Sequence, residues 1–342
     1  MRRRDFFLTT VTAAAACATR RRVAPLPGPQ RGIAFDGYLA PEPTISDVKA
    51  LHALGVSHVA LFPFGYMRGH RDPEVLRFGG PDTHWSLTDD GLLRVGHLAQ
   101  QAGIGVVVLP TLADFVDGRW RGEIEMDDER GWETWLASYE QFIVHYAALA
   151  AKMDAVGFSV GTELRSTVHR TDWWRRVIAT VRRRFSGWLT YAANWDDFDQ
   201  VPWWPALDLV GVQAYFELGT PPAGGDPVNH LVEAWAPIRD RLASLSSRVG
   251  RRVLFTEIGY KSHVNATARP WQWELSGLPD PSLQRAAYEA AFRVFWHEPW
   301  FAGFYWWKWK PNATSDEEHA RDFSPQGKPA ETVLRRYYGS GE

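Results

Sequence analysis

Two segments of this 342-residue sequence end an apolar, strand-like run on a glutamate: Gly161-Thr162-Glu163-Leu164 and Phe255-Thr256-Glu257-Ile258-Gly259-Tyr260. From 163 to 257 is 94 residues, the length of three β/α units at about 30 residues each. Two carboxylic acids facing each other across a cleft are the minimum equipment for cleaving a glycosidic bond. One protonates the leaving oxygen, and the other attacks the anomeric carbon or activates water. A lone glutamate at a strand end is more simply a solvated residue or an ion-pair partner, but a pair at this spacing is harder to read that way. A competing motif overlaps the first segment: Gly157-Phe158-Ser159-Val160-Gly161 has the G-x-S-x-G form of a nucleophile elbow, with Asp208 and His263 available as partners. An elbow needs a strand that stops before the serine and a helix that starts after it. Here the apolar run continues to Leu164, so Ser159 is expected to be a small interior filler. Eleven His residues show neither HExxH nor paired spacing, and the single Cys excludes multi-cysteine sites, so neither a metal nor a cofactor is expected.

The elements around these glutamates alternate. Strand-like runs span Gly32–Tyr38, Ser57–Phe64, Gly105–Thr111, Val156–Glu163, Trp188–Trp195, Asp208–Phe216, Arg252–Tyr260 and Gly303–Lys308. Helical periodicity lies between them over Ile45–Leu54, Gly91–Ala102, Trp132–Met153, Trp173–Phe185, Val228–Ser246 and Ser282–Phe295, with a last helix over Ala330–Tyr337. The connection Asp196–Leu207 is too short and Pro-interrupted for a full helix. Eight strands in alternation predict a single α/β domain, a (β/α)8 TIM barrel, over residues 31–342. A doubly wound sheet is the alternative, but no Gly-rich phosphate loop follows the first strand. In such a barrel the reactive groups sit at the C-terminal strand ends, and strands four and seven face each other across the mouth.

The composition is that of a globular protein, 45% hydrophobic and 23% charged with a net charge of -2, and argues against a nucleic-acid partner, which favours basic excess. Eighteen Trp residues are in excess, and indole faces stack well on sugars, although they also fill cores. The start Met1-Arg-Arg-Arg-Asp-Phe-Phe-Leu8, with the small residues Thr9–Ala16, predicts an export signal over 1–17, and Arg3-Arg4 resembles a twin-arginine signal. Ala14-Ala15-Ala16-Cys17 resembles a lipoprotein cleavage box, which would make Cys17 a lipid anchor; plain cleavage near Ala16 is the alternative. Residues 18–30 read as a Pro-rich tether, and the product is expected to be exported: periplasmic, membrane-anchored or extracellular.

GTEL at the fourth strand and TEIGY at the seventh resemble the retaining clan A of (β/α)8 glycosidases, and within it glycoside hydrolase family 113, the β-mannanases. Further matching segments are Trp120–Ile124, Trp132–Ala148, Tyr191–Trp195, Val201–Trp204, Gly211–Phe216 and Gly303–Trp309. The resemblance implies a β-1,4-mannan or manno-oligosaccharide substrate and a double-displacement mechanism. Glu163 would be the general acid/base, kept protonated at rest by its neighbour, Glu257 the nucleophile, and Tyr215 a donor holding Glu257. Trp307 would be the stacking floor at the cleavage point, with Trp309, on the same face by alternation, as the fallback. Asn194, Trp195, Trp120 and Arg121 would contact sugar. Much of the clan has Asn immediately before the acid/base, where it binds the sugar 2-hydroxyl; here that position is Thr162, and Asn194 is the alternative source of the contact. Another β-linked glycan, a glycan-binding lipoprotein without turnover, and a Ser159 esterase remain as other readings. The segments Tyr66–Trp85 and Ser262–Pro281 are the loops expected to close the cleft and to decide between endo and exo action.

Overall fold

The computed structural model describes residues 28–339, except 115–116, 275–276, 312 and 314–315. The expected export signal, Cys17 and residues 18–27 of the expected tether lie outside the described residues. Eight parallel strands close a barrel: β1 (Gln30–Phe35), β2 (His58–Leu61), β3 (Gly105–Val108), β4 (Gly157–Thr162), β5 (Trp188–Asn194), β6 (Leu209–Gln213), β7 (Arg252–Ile258) and β8 (Phe301–Trp309). Closure is made by β1 pairing with both β8 and β2. Among the described residues seven helices cover the outside: α1 (Ile45–Ala53), α2 (Asp89–Gln101), α3 (Glu129–Lys152), α4 (Thr171–Arg182), α5 (Pro227–Val249), α6 (Pro281–Phe295) and α7 (Pro329–Gly339). As the Pro-interrupted sequence predicts, β5 and β6 are joined by two single 3-10 turns, Phe198–Gln200 and Trp204–Ala206.

Local chemistry sets the element boundaries. Helix α3 starts three residues before the apolar periodicity because Asp128 accepts the Gly131 amide at 2.7 Å and caps an extra turn. Asp226 and Asp280 likewise cap α5 and α6, each followed by Pro at the first helical position. The predicted strands Ser57–Phe64 and Gly105–Thr111 are each cut short by a proline, Pro63 and Pro110. Past those residues the chain leaves the barrel, and Phe64–Met67 pairs with Thr111–Asp114 and with Leu76–Arg77 in a separate three-stranded sheet above β2 and β3. Strand β1 begins at Gln30, one residue inside the expected tether, and buried Gln30 accepts the Tyr305 hydroxyl.

The barrel interior is filled by one or two side chains from most strands: Ala60, Val107, Trp188, Ala192, Leu209, Leu254, Ala302 and Tyr305. Behind β4 and β5 stands a cage of aromatic rings. Trp203 stacks on Trp174 at 4.6 Å, meets Tyr191 edge-on at 5.0 Å, and donates to the Val168 carbonyl at 3.0 Å. The Tyr191 hydroxyl in turn accepts the Leu164 amide at 2.7 Å, so the cage backs the residue that follows Glu163. Truncating fully buried Trp203 to Ala removes this packing and leaves a carbonyl without its donor. Trp203→Ala is expected to lower unfolding free energy by about 3–5 kcal/mol. Urea denaturation should register it as a lower midpoint at unchanged slope.

Candidate active site

The C-terminal strand ends open onto one cleft of about 680 Å³, lined among others by Glu163, Glu257, Tyr215, Trp307, Asn194, Trp195, Trp120 and Arg121. The strands that carry the key residues are irregular where they reach it. Between Ser159 and Thr162, β4 advances three residues while β5 advances two; between Phe255 and Glu257, β7 advances two while β6 advances one. Such bulges bend a strand and re-aim the side chain beyond them. Glu163 follows β4 with φ at +54°, a left-handed conformation that costs a non-glycine residue energy and is held by its amide donating to the Ala192 carbonyl at 2.8 Å. Two residues earlier, a Cβ on Gly161 would lie 2.9 Å from Trp174 and 3.0 Å from the Tyr139 hydroxyl, so only glycine lets the strand pass this close to the cage.

Both carboxyl groups are supplied with donors. Trp120 Nε1 donates to Glu163 Oε2 at 2.9 Å and Arg121 Nη1 to the same oxygen at 2.5 Å. Arg121 is itself anchored through Nε on the Leu112 carbonyl at 2.5 Å. The sequence expectation made Trp120 and Arg121 sugar contacts; in the structure they line the cleft but hold Glu163. Across the cleft the Tyr215 hydroxyl donates to Glu257 Oε2 at 2.9 Å, and burial raises the tyrosine's own pKa well above 10, so it stays a donor. Burial, and next the negative charge of Glu163, push the Glu257 carboxyl up to about 7, while hydrogen bonds from Gln213 and Tyr215 and the charge of Arg121 pull the other way.

Trp307 lies on the cleft wall between Phe62, edge-on at 5.2 Å, and Trp273, edge-on at 5.9 Å. Trp309 does not serve as its fallback. From Ile33 to Phe35 on β1 the partner strand moves from Trp306 to Trp309, so an extra residue in β8 breaks the alternation, and Trp309 is buried in the outer core. Thr162 also departs from expectation: its hydroxyl donates to the Pro110 carbonyl at 3.1 Å, it is buried, and it does not line the cleft. Asn194 does line the cleft, with its amide donating to Asp196 Oδ1 at 2.7 Å, and Trp195 reaches it from an edge contact with Phe216 at 6.1 Å. Ser159 is fully buried within continuous β4, donating to the Gly161 carbonyl at 2.6 Å. Asp208 accepts from Arg182 and the Leu189 amide at the opposite end of the barrel, which removes the serine-nucleophile reading.

Several cleft residues were not anticipated. Lys308 pairs with Asp36, at the end of β1, and lies 5.3 Å from the Trp307 ring and 5.6 Å from that of Trp273. Trp271 and Trp273 come from the Ser262–Pro281 loop; Trp273 is 62% exposed, and Trp271 donates to Glu217 at 3.0 Å. Their signal was present in Pro270-Trp-Gln-Trp273, because two large aromatics within four residues of a loop call for a purpose other than an element's core face. Among the described residues no group of three or more His, Cys, Asp or Glu is placed to hold a metal ion, and no helix is long and apolar enough to cross a membrane.

A (β/α)8 barrel with two glutamates at the ends of β4 and β7 in one aromatic-walled cleft defines a glycoside hydrolase. Residues 33–328 match Glycoside Hydrolase Family 113, and the chain belongs to that family. Among solved structures it is similar to the family 113 β-mannanase AaManA of Alicyclobacillus acidocaldarius in complex with ManMIm, at 28% identity and a TM-score of 0.79, covering 92% of this chain and 98% of that one. A family 113 β-1,4-mannanase, also solved as a complex, is 26% identical with a TM-score of 0.77 over 92% of this chain and 99% of the other. The β-glucuronidase of Ruminococcus gnavus, at 14% identity and a TM-score of 0.60 over 91% of this chain and 50% of its own, shares the fold. No curated protein matches the chain.

A carboxyl whose pKa is raised on folding destabilises the fold as it ionises. The penalty at Glu257 is absent below about pH 4.5, grows through the interval up to about 7 and is complete above it. Glu257→Gln is therefore expected to be more stable than the parent by about 3 kcal/mol above pH 7. The gain should shrink to nothing near pH 4, as read by denaturation at a series of pH values.

Proposed function

We propose that this family 113 enzyme is a retaining β-mannanase in which Glu163 is the general acid/base and Glu257 the nucleophile. The observation that carries the reading is the convergence of the two carboxyls, from β4 and β7, on one cleft with Tyr215 donating to Glu257. Because the two charges repel, the pair holds one proton between them over the working pH range. In the first step that proton is on Glu163 and the charge on Glu257. Positive character developing at the anomeric carbon beside Glu257 draws the charge there. The Glu257 oxygen then forms the bond to carbon as the leaving oxygen takes the Glu163 proton. Water attacks the resulting glycosyl-enzyme in the second step, with Glu163 removing its proton. Arg121 and Trp120 occupy Oε2 of Glu163, so the proton is exchanged at Oε1, and their hydrogen bonds stabilise the carboxylate left after the first step.

Trp307 offers its face to the sugar at the cleavage point, and Trp195, Trp271 and Trp273 extend the aromatic wall. With Thr162 committed to the Pro110 carbonyl, Asn194 is the residue that reaches the sugar 2-hydroxyl. Support for mannan comes from the mannanases at 28% and 26% identity, whose barrels overlay 92% of this chain. Export, by the twin-arginine-like start and with or without lipid on Cys17, is part of the same proposal, since a polymeric glycan is met outside the cell.

Incubated with linear β-1,4-mannan, mannohexaose and cellohexaose, residues 28–342 are expected to release short manno-oligosaccharides from the first two, and Glu163→Gln none. Mannose as the sole product would mean exo action. Cleavage of cellohexaose alone would move the substrate to another β-glycan, and binding without turnover would make the chain a glycan-binding protein. Glu257→Ala should be inactive and regain turnover with azide as a glycosyl azide of inverted configuration; a retained product would exchange the two roles. The pH profile of kcat/KM should be bell-shaped, with its descending limb near pH 7, where the pair loses its last proton. On an aryl β-mannoside whose leaving group departs without a proton, Glu163→Gln should turn over and lack that limb.

A further inference from the structure

We propose that Arg165 is a positioning residue for Glu163, acting through the indole of Trp120; the inference rests on reading Glu163 as the acid/base. Arg165 opens the 3-10 turn Arg165–Thr167 just after Glu163, yet its side chain reaches across the cleft wall to the β5–β6 connection. There Nε donates to Asp197 Oδ2 at 2.8 Å and Nη2 to Asp196, whose Oδ1 is also held by Asn194. Asp197 is only 4% exposed, so the guanidinium is gripped at two corners by one buried and one anchored carboxylate. The plate so fixed lies 4.6 Å from the ring centre of Trp120.

The stacking matters because of what an indole can do. Its single N–H points in the plane of the ring, so the tilt of the ring decides where the donor goes. Trp120 is half-buried and stands on the loop after β3, with no backbone partner for its Nε1; that donor goes to Glu163 Oε2 at 2.9 Å. A planar cation against the ring face fixes the tilt in a way a lysine ammonium does not. Arg121 holds the same oxygen as a charge anchored on Leu112, and Trp120 supplies the second, directional contact that sets which way Oε1 faces. Three neighbouring loops are thereby locked around one carboxyl, and Arg165 does so without touching Glu163.

The test compares kcat/KM on mannohexaose with that on 2,4-dinitrophenyl β-mannobioside, whose leaving group departs without a proton. A misaimed acid slows only the first. In Arg165→Met the ratio of the two is expected to fall by about tenfold to a hundredfold, the usual cost of a misplaced catalytic group. Arg165→Lys, which keeps the ion pairs and so the fold, should fall in the same direction. Trp120→Phe should lower the ratio similarly, and Arg165→Met combined with Trp120→Phe should be no worse than Trp120→Phe alone. Equal losses on both substrates, an unchanged ratio, or additive losses in the double variant would reduce Arg165 to a structural or sugar-binding residue and overturn the proposal. Glu163→Gln separates the two levels. If it lowers the ratio and the Arg165 variants do not, only this inference fails; if it leaves the ratio unchanged, the acid/base reading fails with it.

Discussion

Two like charges in one half-desolvated cleft are the constraint around which this molecule is organised. Burial penalises the ionised form of Glu257, and the negative charge of Glu163 adds to that penalty. The surrounding donors answer that penalty one carboxyl at a time: Arg121 and Trp120 on Glu163, Tyr215 and Gln213 on Glu257. The compensation is incomplete, and a carboxyl left near pKa 7 is a site that destabilises the fold while making proton exchange possible near neutrality. The rigidity elsewhere keeps these donors from relaxing away. The Trp174–Trp203–Tyr191 cage fixes the backbone after Glu163, and Arg165 fixes the ring that donates to it.

The cleft owes its shape to departures from regular barrel geometry. Bulges sit at the ends of β4, β7 and β8, the three strands that bear Glu163, Glu257 and Trp307. A Cβ on Gly259 would lie 2.6 Å from the Trp307 carbonyl, so the close approach of β7 and β8 at the mouth depends on that glycine. Pro63 and Pro110 do a related job on the other side. They turn the chain out of the barrel into the small sheet, two of whose residues, Phe64 and Thr111, line the cleft. Of the two segments expected to close the cleft, Ser262–Pro281 lines it through Trp271 and Trp273, whereas no residue of Tyr66–Trp85 does.

The tryptophan excess divides between two uses. Trp120, Trp195, Trp271, Trp273 and Trp307 line the cleft, whereas Trp135, Trp174, Trp203, Trp204, Trp235 and Trp306 are fully buried. Composition alone carries no information about this split, since the same ring that stacks on a sugar also fills the space between barrel and helices. Position does: the cleft set stands on loops and at strand ends, and the buried set on helices, turns and the outward face of β8.

The eight barrel strands, their alternation and the Glu163–Glu257 pair were legible in the chain, because they follow from periodicity and from residue type at strand ends, whereas the Tyr215 contact was implied only by the resemblance to clan A glycosidases. The helix missing between β5 and β6 was legible for the same reason, as its prolines are local. Tertiary structure alone decided the rest. Trp309 turns outward because β8 gains a residue against β1, and a pairing irregularity leaves no trace in the pattern of one strand. Thr162 spends its hydroxyl on Pro110, and Trp120 and Arg121 grip Glu163, because residues far apart in sequence meet only when the barrel closes. The upward push on the Glu257 carboxyl was out of reach too, since it depends on burial and on charges brought in from other strands. A sequence names the groups available for chemistry; the distances that set their charge states exist only in the folded barrel.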